Sequence, residues 1–330
     1  MSKRIAINGF GRIGRLTVRN LLLRSNVQVV AINDLTDNAT LAHLFKYDSS
    51  QGPFEGEVSS DDKFIYVNGK KIHASAERDP AQLPWKELGI DVVLECTGIF
   101  RSKDKVELHI NAGAKKVIIS APAKGAGIQT VVLGVNDDQI DWSQKIFDNA
   151  SCTTNCLAPV AKIVHDNWGI KVGSMTTTHA YTADQNLQDA PHKDLRRARA
   201  AAINIVPTDT GAATAVGKVI PAVAGRLSAI ALRVPVSSGS MIELNCLVEK
   251  NTTIAEINSV FKQKAEGPLK GILQYVEDPI VSSDILRNPH SSIFDALMTD
   301  VLQDNFIKVV SWYDNEAGYA ARLADLAMKV

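Results

Sequence analysis

The sequence predicts an α/β fold in two domains, residues 1–150 and 151–314. A chain of 330 residues has the length of two domains of roughly 150 residues each. Over residues 1–150, short apolar strands alternate with segments of helical spacing, which predicts a mostly parallel sheet. In the second half, apolar runs such as 230–236 and 241–249 follow each other as antiparallel strands, which predicts an α+β domain with a mostly antiparallel sheet.

The first strand leads directly into a glycine-rich turn. Gly9, Gly11 and Gly14 follow the apolar run 4–8 in a Gly-x-Gly-x-x-Gly pattern, and an amphipathic helix continues from them. A second strand, 27–33, ends at Asp34. The glycines suit a tight turn, close approach to a pyrophosphate and helix–strand packing, while the acid suits ribose hydroxyls. A plain glycine-rich turn is the alternative, but the full order of strand, glycines, helix, strand and acid favours a Rossmann-type dinucleotide-binding domain.

The rest of this half continues the alternation of strands and helices. Its elements are a helix at 41–46, a hairpin of 64–67 and 70–74 around Asn68-Gly69, a strand at 91–96, a helix from Ser102 to Gly113 and a strand at 116–120. Ligands of such sheets gather at the carboxyl ends of the strands. Arg78, Thr97 and Ser120 lie at or beyond such ends, so they are candidates for cofactor contacts, with a solvated arginine and ordinary turn residues as the alternative.

A cysteine-containing segment stands at the centre of the chain. Ser151 is a candidate N-cap, which places Cys152 in the first turn of a helix that extends through 158–168. The helix N-terminus lowers a thiol pKa and helps to hold an oxyanion, so a reactive Cys152 is predicted. The alternative is a small buried hydrophobe, the role expected one turn later for Cys156.

A histidine and a polar segment follow. His179 ends the next strand, 171–179, so a Cys–His pair with Cys152 is geometrically reasonable, with a hydrogen-bonded structural histidine as the alternative. Residues 180–202 are polar and partly basic, which indicates a functional segment, an interface or a solvated face. Thr210 and Gly211 precede an alanine-rich helix, a position that suits an anion.

Composition excludes several classes of protein. Lys and Arg total 36 and Asp and Glu total 36, so no strong field favours nucleic acid or a membrane. Four cysteines without a disulfide-like spacing favour a reducing compartment, and no second pair completes a zinc site with Cys152 and Cys156. No apolar run reaches the roughly 18 residues of a membrane span, and the first residues lack a signal-peptide core. We expect a cytoplasmic protein without a metal.

Four segments together resemble phosphorylating glyceraldehyde-3-phosphate dehydrogenases. They are Asn8 to Arg15, Ala150 to Asn155, His179 to Thr182 and Trp312 to Glu316, and the resemblance extends over essentially the whole chain. It implies that a terminal helix, 315–330, returns to the cofactor domain. It also implies a homotetramer in which the stretch after His179 reaches a neighbouring subunit's cofactor region.

The resemblance also implies a role for each matching residue. Cys152 is the nucleophile, and His179 lowers its pKa and then serves as the acid–base partner. The implied ligands of the C3 phosphate are Thr182 and Arg233; those of inorganic phosphate are Ser151, Thr153, Arg197, Thr210 and Gly211. Beside the glycines Gly9, Gly11 and Gly14, the implied cofactor residues are Arg12, Ile13, Asp34, Arg78, Ser120 and Asn315.

The implied reaction is glycolytic or gluconeogenic: D-glyceraldehyde 3-phosphate is oxidised with NAD⁺ and inorganic phosphate to 1,3-bisphosphoglycerate. It proceeds through a hemithioacetal and a thioester on Cys152. Preference for NAD over NADP is expected, because the Asp34 carboxylate would repel a 2′-phosphate. Three alternatives remain: an erythrose-4-phosphate dehydrogenase, an enzyme that hydrolyses the thioester, and a dinucleotide-binding regulatory or RNA-binding protein that uses Arg196, Arg197 and Arg199.

Overall fold

The computed structural model describes residues 2–330, which form two compact units. The first unit holds the chain up to Val131 together with Gln139–Ala150 and Ala320–Val330, and the second holds Val132–Asp138 and Ser151–Tyr319. The assignment of cofactor binding to the first domain and of catalysis to the second stays a prediction. Within residues 2–330 no helix combines the length and the apolar character needed to cross a membrane.

The first unit alternates strands with helices. Its helices are α1 Arg12–Leu22, α2 Asn38–Lys46 and α3 Lys103–Asn111, with a 3-10 turn at Pro80–Gln82. Its strands are β1 Lys3–Asn8, β2 Val27–Asn33, β3 Val58–Ser60, β4 Phe64–Val67, β5 Lys70–Ser75, β6 Val92–Glu95, β7 Lys116–Ile119, β8 Gln129–Thr130 and β9 Ile146–Asp148.

These strands form one twisted sheet in the order β3-β4-β5-β2-β1-β6-β7-β9-β8. All neighbours from β5 to β8 pair in parallel, and the hairpin strands β3, β4 and β5 pair antiparallel. Because parallel strands are covered on both faces, β1 and β6 have apolar centres, with Ile5, Ile7 and Val93 fully buried. The strand order reverses between β1 and β6, which is where such sheets bind ligands.

The second unit contains the remaining elements. Its helices are α4 Cys152–Trp168, α5 Ala212–Val219 and α6 Ile254–Glu266, with a 3-10 turn at Pro221–Val223. Its strands are β10 Ile170–Ala180, β11 Val206–Thr208, β12 Leu227–Val234, β13 Ser240–Val248, β14 Leu273–Val276, β15 Ser292–Leu302 and β16 Phe306–Tyr313. The last helix, α7 Ala317–Lys329, starts among residues of this unit and ends among residues of the first.

The second sheet is mostly antiparallel, as predicted, in the order β11-β12-β10-β13-β16-β15-β14. Its parallel pairs are β10–β12 and β14–β15. The predicted strands near 230–236 and 241–249 run in opposite directions, but β10 lies between them. The connection 235–239 is long enough to cross one intervening strand, a distance of roughly 10 Å. The predicted fold class is confirmed for both sheets.

Helix α4 is the central element of the second unit. Its N-cap Ser151 accepts a hydrogen bond from the Thr154 amide, and Gly169, at a φ of 75°, ends it. The helix packs on β10, β13, β15 and β16, with side chains such as Leu157 and Val160 fully buried. Each such side chain contributes roughly 1.5–3 kcal/mol of hydrophobic stabilisation. Ser151 therefore fixes the first turn of a helix that is held in place by its packing on the sheet.

Candidate active site

A cavity of about 480 Å³ opens where the strand order of the first sheet reverses. Its walls come from the carboxyl ends of β1, β2 and β6 and from the segment around Arg78. The lining residues are Asn8, Gly9, Gly11, Asn33, Asp34, Leu35, Glu77, Arg78, Cys96, Thr97, Ile99 and Phe100. The structure therefore brings four predicted cofactor residues, Gly9, Gly11, Asp34 and Arg78, to one cavity.

The three glycines have separable physical roles. Gly9 has a φ of 91°, and a Cβ there would lie 2.7 Å from the Thr97 amide nitrogen. A Cβ on Gly14 would lie 2.3 Å from the Gly9 carbonyl oxygen, so α1 could not approach the turn. A Cβ on Gly11 would meet nothing within 4 Å, because Gly11 faces the open cavity at the N-terminus of α1. An anionic group can therefore approach the backbone closely at Gly11.

Asp34 is held by the turn that it faces. One carboxylate oxygen accepts the Phe10 amide at 2.7 Å, and the other accepts the Thr36 amide at 3.0 Å. Each oxygen keeps further lone pairs, so the carboxylate can still accept hydroxyl groups of a ligand.

Other predicted cofactor residues of the first unit lie outside the cavity lining. The Arg12 guanidinium contacts the buried Asp48 carboxylate at 2.5 Å. Ile13 lies beside it on α1, and Ser120 directly follows β7. The Ser120 hydroxyl lowers the pKa of the Cys96 thiol, which lines the cavity, against the larger effect of burial.

The second unit places Cys152 beside His179. Cys152 begins α4, His179 lies near the end of β10, and the thiol sulfur is 3.5 Å from the imidazole Nε2. The His179 side chain is buried, whereas Cys152 is only partly covered. A proton can therefore pass directly between the two side chains.

Burial opposes the charged form of both members of this pair. Burial raises the pKa of the Cys152 thiol above its ordinary value of 9.0, against the opposing positive charge of Arg233. Burial, followed by the charge of Arg233, lowers the pKa of His179 from 6.5 to about 3. These effects act against the predicted lowering of the thiol pKa by His179 and the helix N-terminus, which stays a prediction.

Arg233 joins the site through strand pairing. In the parallel pair β10–β12, His179 and Arg233 stand in register. Arg233 Nη1 lies 2.8 Å from His179 Nδ1 and donates to the Thr182 hydroxyl at 3.2 Å. The structure thus joins both predicted ligands of the C3 phosphate to the Cys–His pair.

An acid connects this group to Arg197. The Thr182 hydroxyl donates to Asp184, and Arg197 donates to the same carboxylate. Arg197 also contacts the Thr208 hydroxyl at 3.0 Å. Sequence reasoning missed Asp184, although an acid two residues after Thr182 is a signal for a local hydrogen bond.

The remaining phosphate residues are placed around helix starts. The Ser151 hydroxyl caps α4, and the Thr153 hydroxyl bonds the Tyr313 phenol at 2.9 Å. Thr210 and Gly211 stand at the start of α5, without a hydrogen bond to Cys152 among the bonds of the described residues.

Tyr313 is a second residue that sequence reasoning missed. Its hydroxyl also bonds Thr177 at 2.9 Å, and its ring meets that of His179 edge-on at 5.8 Å. Burial raises its pKa well above 10, so it stays a phenol at neutral pH. The sequence signal that could have identified this residue is its position at the end of the last strand, β16.

Asn315 is held by its carbonyl oxygen. The Gly239 amide and the Ser240 hydroxyl donate to this oxygen at 3.2 and 2.9 Å. The amide nitrogen of the side chain is consequently the group left to donate to a ligand.

Two family models match the chain. Residues 3–103 match the model described as glyceraldehyde 3-phosphate dehydrogenase, NAD binding domain, and residues 151–315 match glyceraldehyde 3-phosphate dehydrogenase, C-terminal domain. Curated relatives named glyceraldehyde-3-phosphate dehydrogenase include those of Mycolicibacterium smegmatis (56% identical) and Mycobacterium tuberculosis (58% identical). Both alignments cover 100% of this chain and 99% of the relative. The relative from Borreliella burgdorferi is 56% identical, with 99% of each chain covered.

Proposed function

Because the chain belongs to the glyceraldehyde 3-phosphate dehydrogenase family, we propose that it oxidises D-glyceraldehyde 3-phosphate to 1,3-bisphosphoglycerate with NAD⁺ and inorganic phosphate. The observation that carries the proposal is the 3.5 Å approach of Cys152 to His179 at the start of α4, with Arg233 in register beside the histidine. A nucleophile, a base and a phosphate-binding cation are thereby adjacent.

The first unit supplies groups that fit a dinucleotide. Gly11 leaves open space at a helix N-terminus, and Asp34 offers a carboxylate to ribose hydroxyls in the same cavity. When bound, NAD⁺ supplies the two-electron acceptor for the oxidation. Gly9, Gly11, Asp34 and Arg78 would hold it from the cavity, and Asn315 would donate its side-chain amide to the nicotinamide carboxamide.

The chemistry of Cys152 begins with proton transfer. His179 Nε2 takes the thiol proton as the sulfur attacks the aldehyde carbon, and the carbonyl oxygen then takes that proton to give a hemithioacetal. Backbone amides at the first turn of α4 would stabilise the developing oxyanion. His179 removes the hydroxyl proton as the carbon is oxidised, which leaves a thioester on Cys152.

Phosphate completes the cycle. An oxygen of inorganic phosphate attacks the thioester carbon, the carbon–sulfur bond breaks, and His179 returns a proton to the Cys152 sulfur. Ser151, Thr153, Arg197, Thr210 and Gly211 would hold this phosphate, and Thr182 with Arg233 would hold the C3 phosphate. Arg197 and Thr182 both bond Asp184 in this structure, so each phosphate competes with that carboxylate.

The test is NADH formation by the purified chain. We expect it with glyceraldehyde 3-phosphate and inorganic phosphate, loss of activity without phosphate, and much slower use of erythrose 4-phosphate. Cys152→Ser should abolish turnover, whereas Cys246→Ser, which changes a buried thiol on β13, should leave it intact. Faster turnover of erythrose 4-phosphate, or phosphate-independent release of the free acid, would assign one of the other enzyme activities instead.

The basic cluster gives little support to a nucleic-acid function. Arg197 is paired with Asp184 and Asp194, and Arg199 with Asp189 at 2.8 Å. These acids neutralise much of the cationic surface that a phosphate backbone would need.

We further propose a cytoplasmic homotetramer, as the family resemblance implies. Strands of the second sheet carry exposed large apolar side chains, among them Val172, Ile230, Leu302 and Phe306, each between 39% and 56% exposed. Exposed apolar groups on a sheet are typical of surfaces that another chain covers. Light scattering on the eluted protein should give four times the chain mass of 35.7 kDa; a stable monomer would contradict the assembly.

A further inference from the structure

A buried carboxylate stands at the carboxyl end of β6. It belongs to Glu95, the last residue of that strand, which is 1% exposed. Its Oε1 accepts hydrogen bonds from the amide of Thr97 at 2.8 Å and from the hydroxyl of the same residue. Its Oε2 accepts the side-chain amide of Asn8 at 2.6 Å and lies 3.0 Å from His109 Nε2. Four polar groups therefore surround one carboxylate in the interior of the first unit.

The position of the hydrogen on His109 is fixed by its other neighbour. His109 lies on α3 and is fully buried, and its Nδ1 is 3.0 Å from the indole nitrogen of Trp85. An indole N–H can only donate, so Nδ1 accepts and the ring hydrogen is on Nε2. The neutral imidazole therefore donates to Glu95. All four groups around Glu95 are then donors, which is the environment that a buried, ionised carboxylate requires.

Through Asn8, Glu95 connects to one segment of the cofactor cavity. Asn8 Oδ1 accepts the side-chain amide of Asn33 at 2.8 Å, and the Asn33 amide oxygen accepts the backbone amide of Glu77 at 2.8 Å. The Asn33 side-chain nitrogen also donates to the Glu77 carbonyl oxygen at 2.8 Å. A continuous chain of hydrogen bonds thus extends from Glu95 to the Glu77–Arg78 segment, which lines the cavity.

Through Thr97, the same carboxylate connects to a second segment, 96–100. The Thr97 hydroxyl oxygen accepts the Ile99 amide at 3.1 Å, and both residues line the cavity. The Thr97 amide nitrogen is also the atom that a Cβ on Gly9 would approach to 2.7 Å, so this segment lies directly against the glycine turn. One charge therefore fixes two parts of the lining that are far apart in sequence.

We propose that Glu95 is a positioning residue for the dinucleotide: as a carboxylate held by four donors, it keeps segments 77–78 and 96–100 at the spacing that the cofactor needs. The inference rests on the proposed function, because it takes NAD⁺ as the occupant of the cavity. Glu95 acts through Asn8 and Thr97, and His109 acts through Glu95. The affinity for NAD⁺, and not the chemistry at Cys152, is the property that depends on this carboxylate.

Replacing the carboxylate with an amide tests this arrangement directly. In Glu95→Gln, one acceptor oxygen becomes an N–H donor. An amide nitrogen that faces Asn8 and His109 meets two N–H groups, and one that faces Thr97 meets its backbone N–H. In either orientation, hydrogen bonds to one of the two segments are lost.

The test is isothermal titration calorimetry of NAD⁺ binding to the full-length protein, at a temperature where every variant is folded. Glu95→Gln should raise the Kd for NAD⁺ by about tenfold, the value of a hydrogen bond to a charged group. Its kcat at saturating NAD⁺ should be unchanged, because Cys152 and His179 belong to the second unit. Asp91→Asn is the matched control: Asp91 precedes the same strand at its opposite end, where it accepts the Arg4 amide at 2.8 Å, and this variant should bind NAD⁺ like the unmodified chain.

Two variants of His109 separate positioning from a purely structural role. His109→Leu removes one donor and should raise the Kd about fivefold. His109→Gln should restore the affinity, because its side-chain nitrogen can donate to Glu95 from the position of Nε2. A purely structural role would lower the thermal unfolding midpoint and leave the Kd of the folded protein unchanged. His109→Leu also takes the place of Glu95→Gln if the latter does not fold.

Three results would overturn this inference alone: an unchanged Kd in Glu95→Gln, equal weakening in Glu95→Gln and Asp91→Asn, or equal weakening in both variants of His109. Failure of the unmodified chain to bind NAD⁺ would overturn the proposed function as well.

Discussion

The burial of His179 predicts an acid sensitivity that a single substitution should remove. Because the pKa of His179 is lowered from 6.5 to about 3, the unfolded chain binds a proton below pH 6.5 that the folded chain refuses. The free energy of unfolding therefore falls as the pH drops from 6.5 towards 3. Linkage gives a loss of about 2 kcal/mol between pH 7 and pH 5 from this one residue.

The assay is urea unfolding at both pH values and one protein concentration. Between pH 7 and pH 5, the free energy of unfolding of His179→Asn should fall by about 2 kcal/mol less than that of the unmodified chain. In His43→Asn, which changes an exposed histidine on α2, the free energy of unfolding should fall as much as in the unmodified chain. Equal losses in the His179→Asn variant and the unmodified chain would refute the reasoning, since they would mean that His179 titrates alike in both states.

Three further outcomes follow from the site. One equivalent of iodoacetamide should label Cys152 and abolish activity, because Cys152 is partly exposed and lies 3.5 Å from the His179 base, whereas the Cys156 side chain is fully buried; labelled Cys156 with activity retained would contradict this. Arg233→Ala should raise KM chiefly for the phosphorylated aldehyde, and Arg197→Ala chiefly for inorganic phosphate, each by roughly 10–100-fold, the value of a charge-assisted hydrogen bond; equal effects in both would show that the two anion sites are not separate. Asp34→Ala should improve kcat/KM with NADP relative to NAD by about tenfold, the effect of removing a like charge; equal use of both cofactors by the unmodified chain would show that Asp34 does not select the cofactor.

Local sequence signals predicted the elements that depend on neighbouring residues. Strand β2 has its predicted bounds, Val27–Asn33, because an apolar run between turn residues is local information. The start of α4 was predictable for the same reason, since Ser151 and the amide that it caps are three residues apart.

Signals that depend on strand pairing were not available. Arg233 meets His179 only because β12 pairs in parallel with β10, and no pattern in 227–234 specifies that register. Strand β15 was missed because its residues near Asp295 carry a register shift, which interrupts the regular alternation. The resemblance to a family, not the pattern, placed Arg233 at the site.

Opposing effects act on the charges of the Cys152–His179 pair. The N-terminus of α4, which Ser151 caps, favours a thiolate by roughly 0.3–1 kcal/mol. Burial raises the pKa of Cys152, while the positive charge of Arg233 lowers it. Burial lowers the pKa of His179, and the charge of Arg233 lowers it further. Arg233 therefore favours the thiolate and disfavours the imidazolium, so one cation beside the pair acts in opposite directions on the charges of its two members.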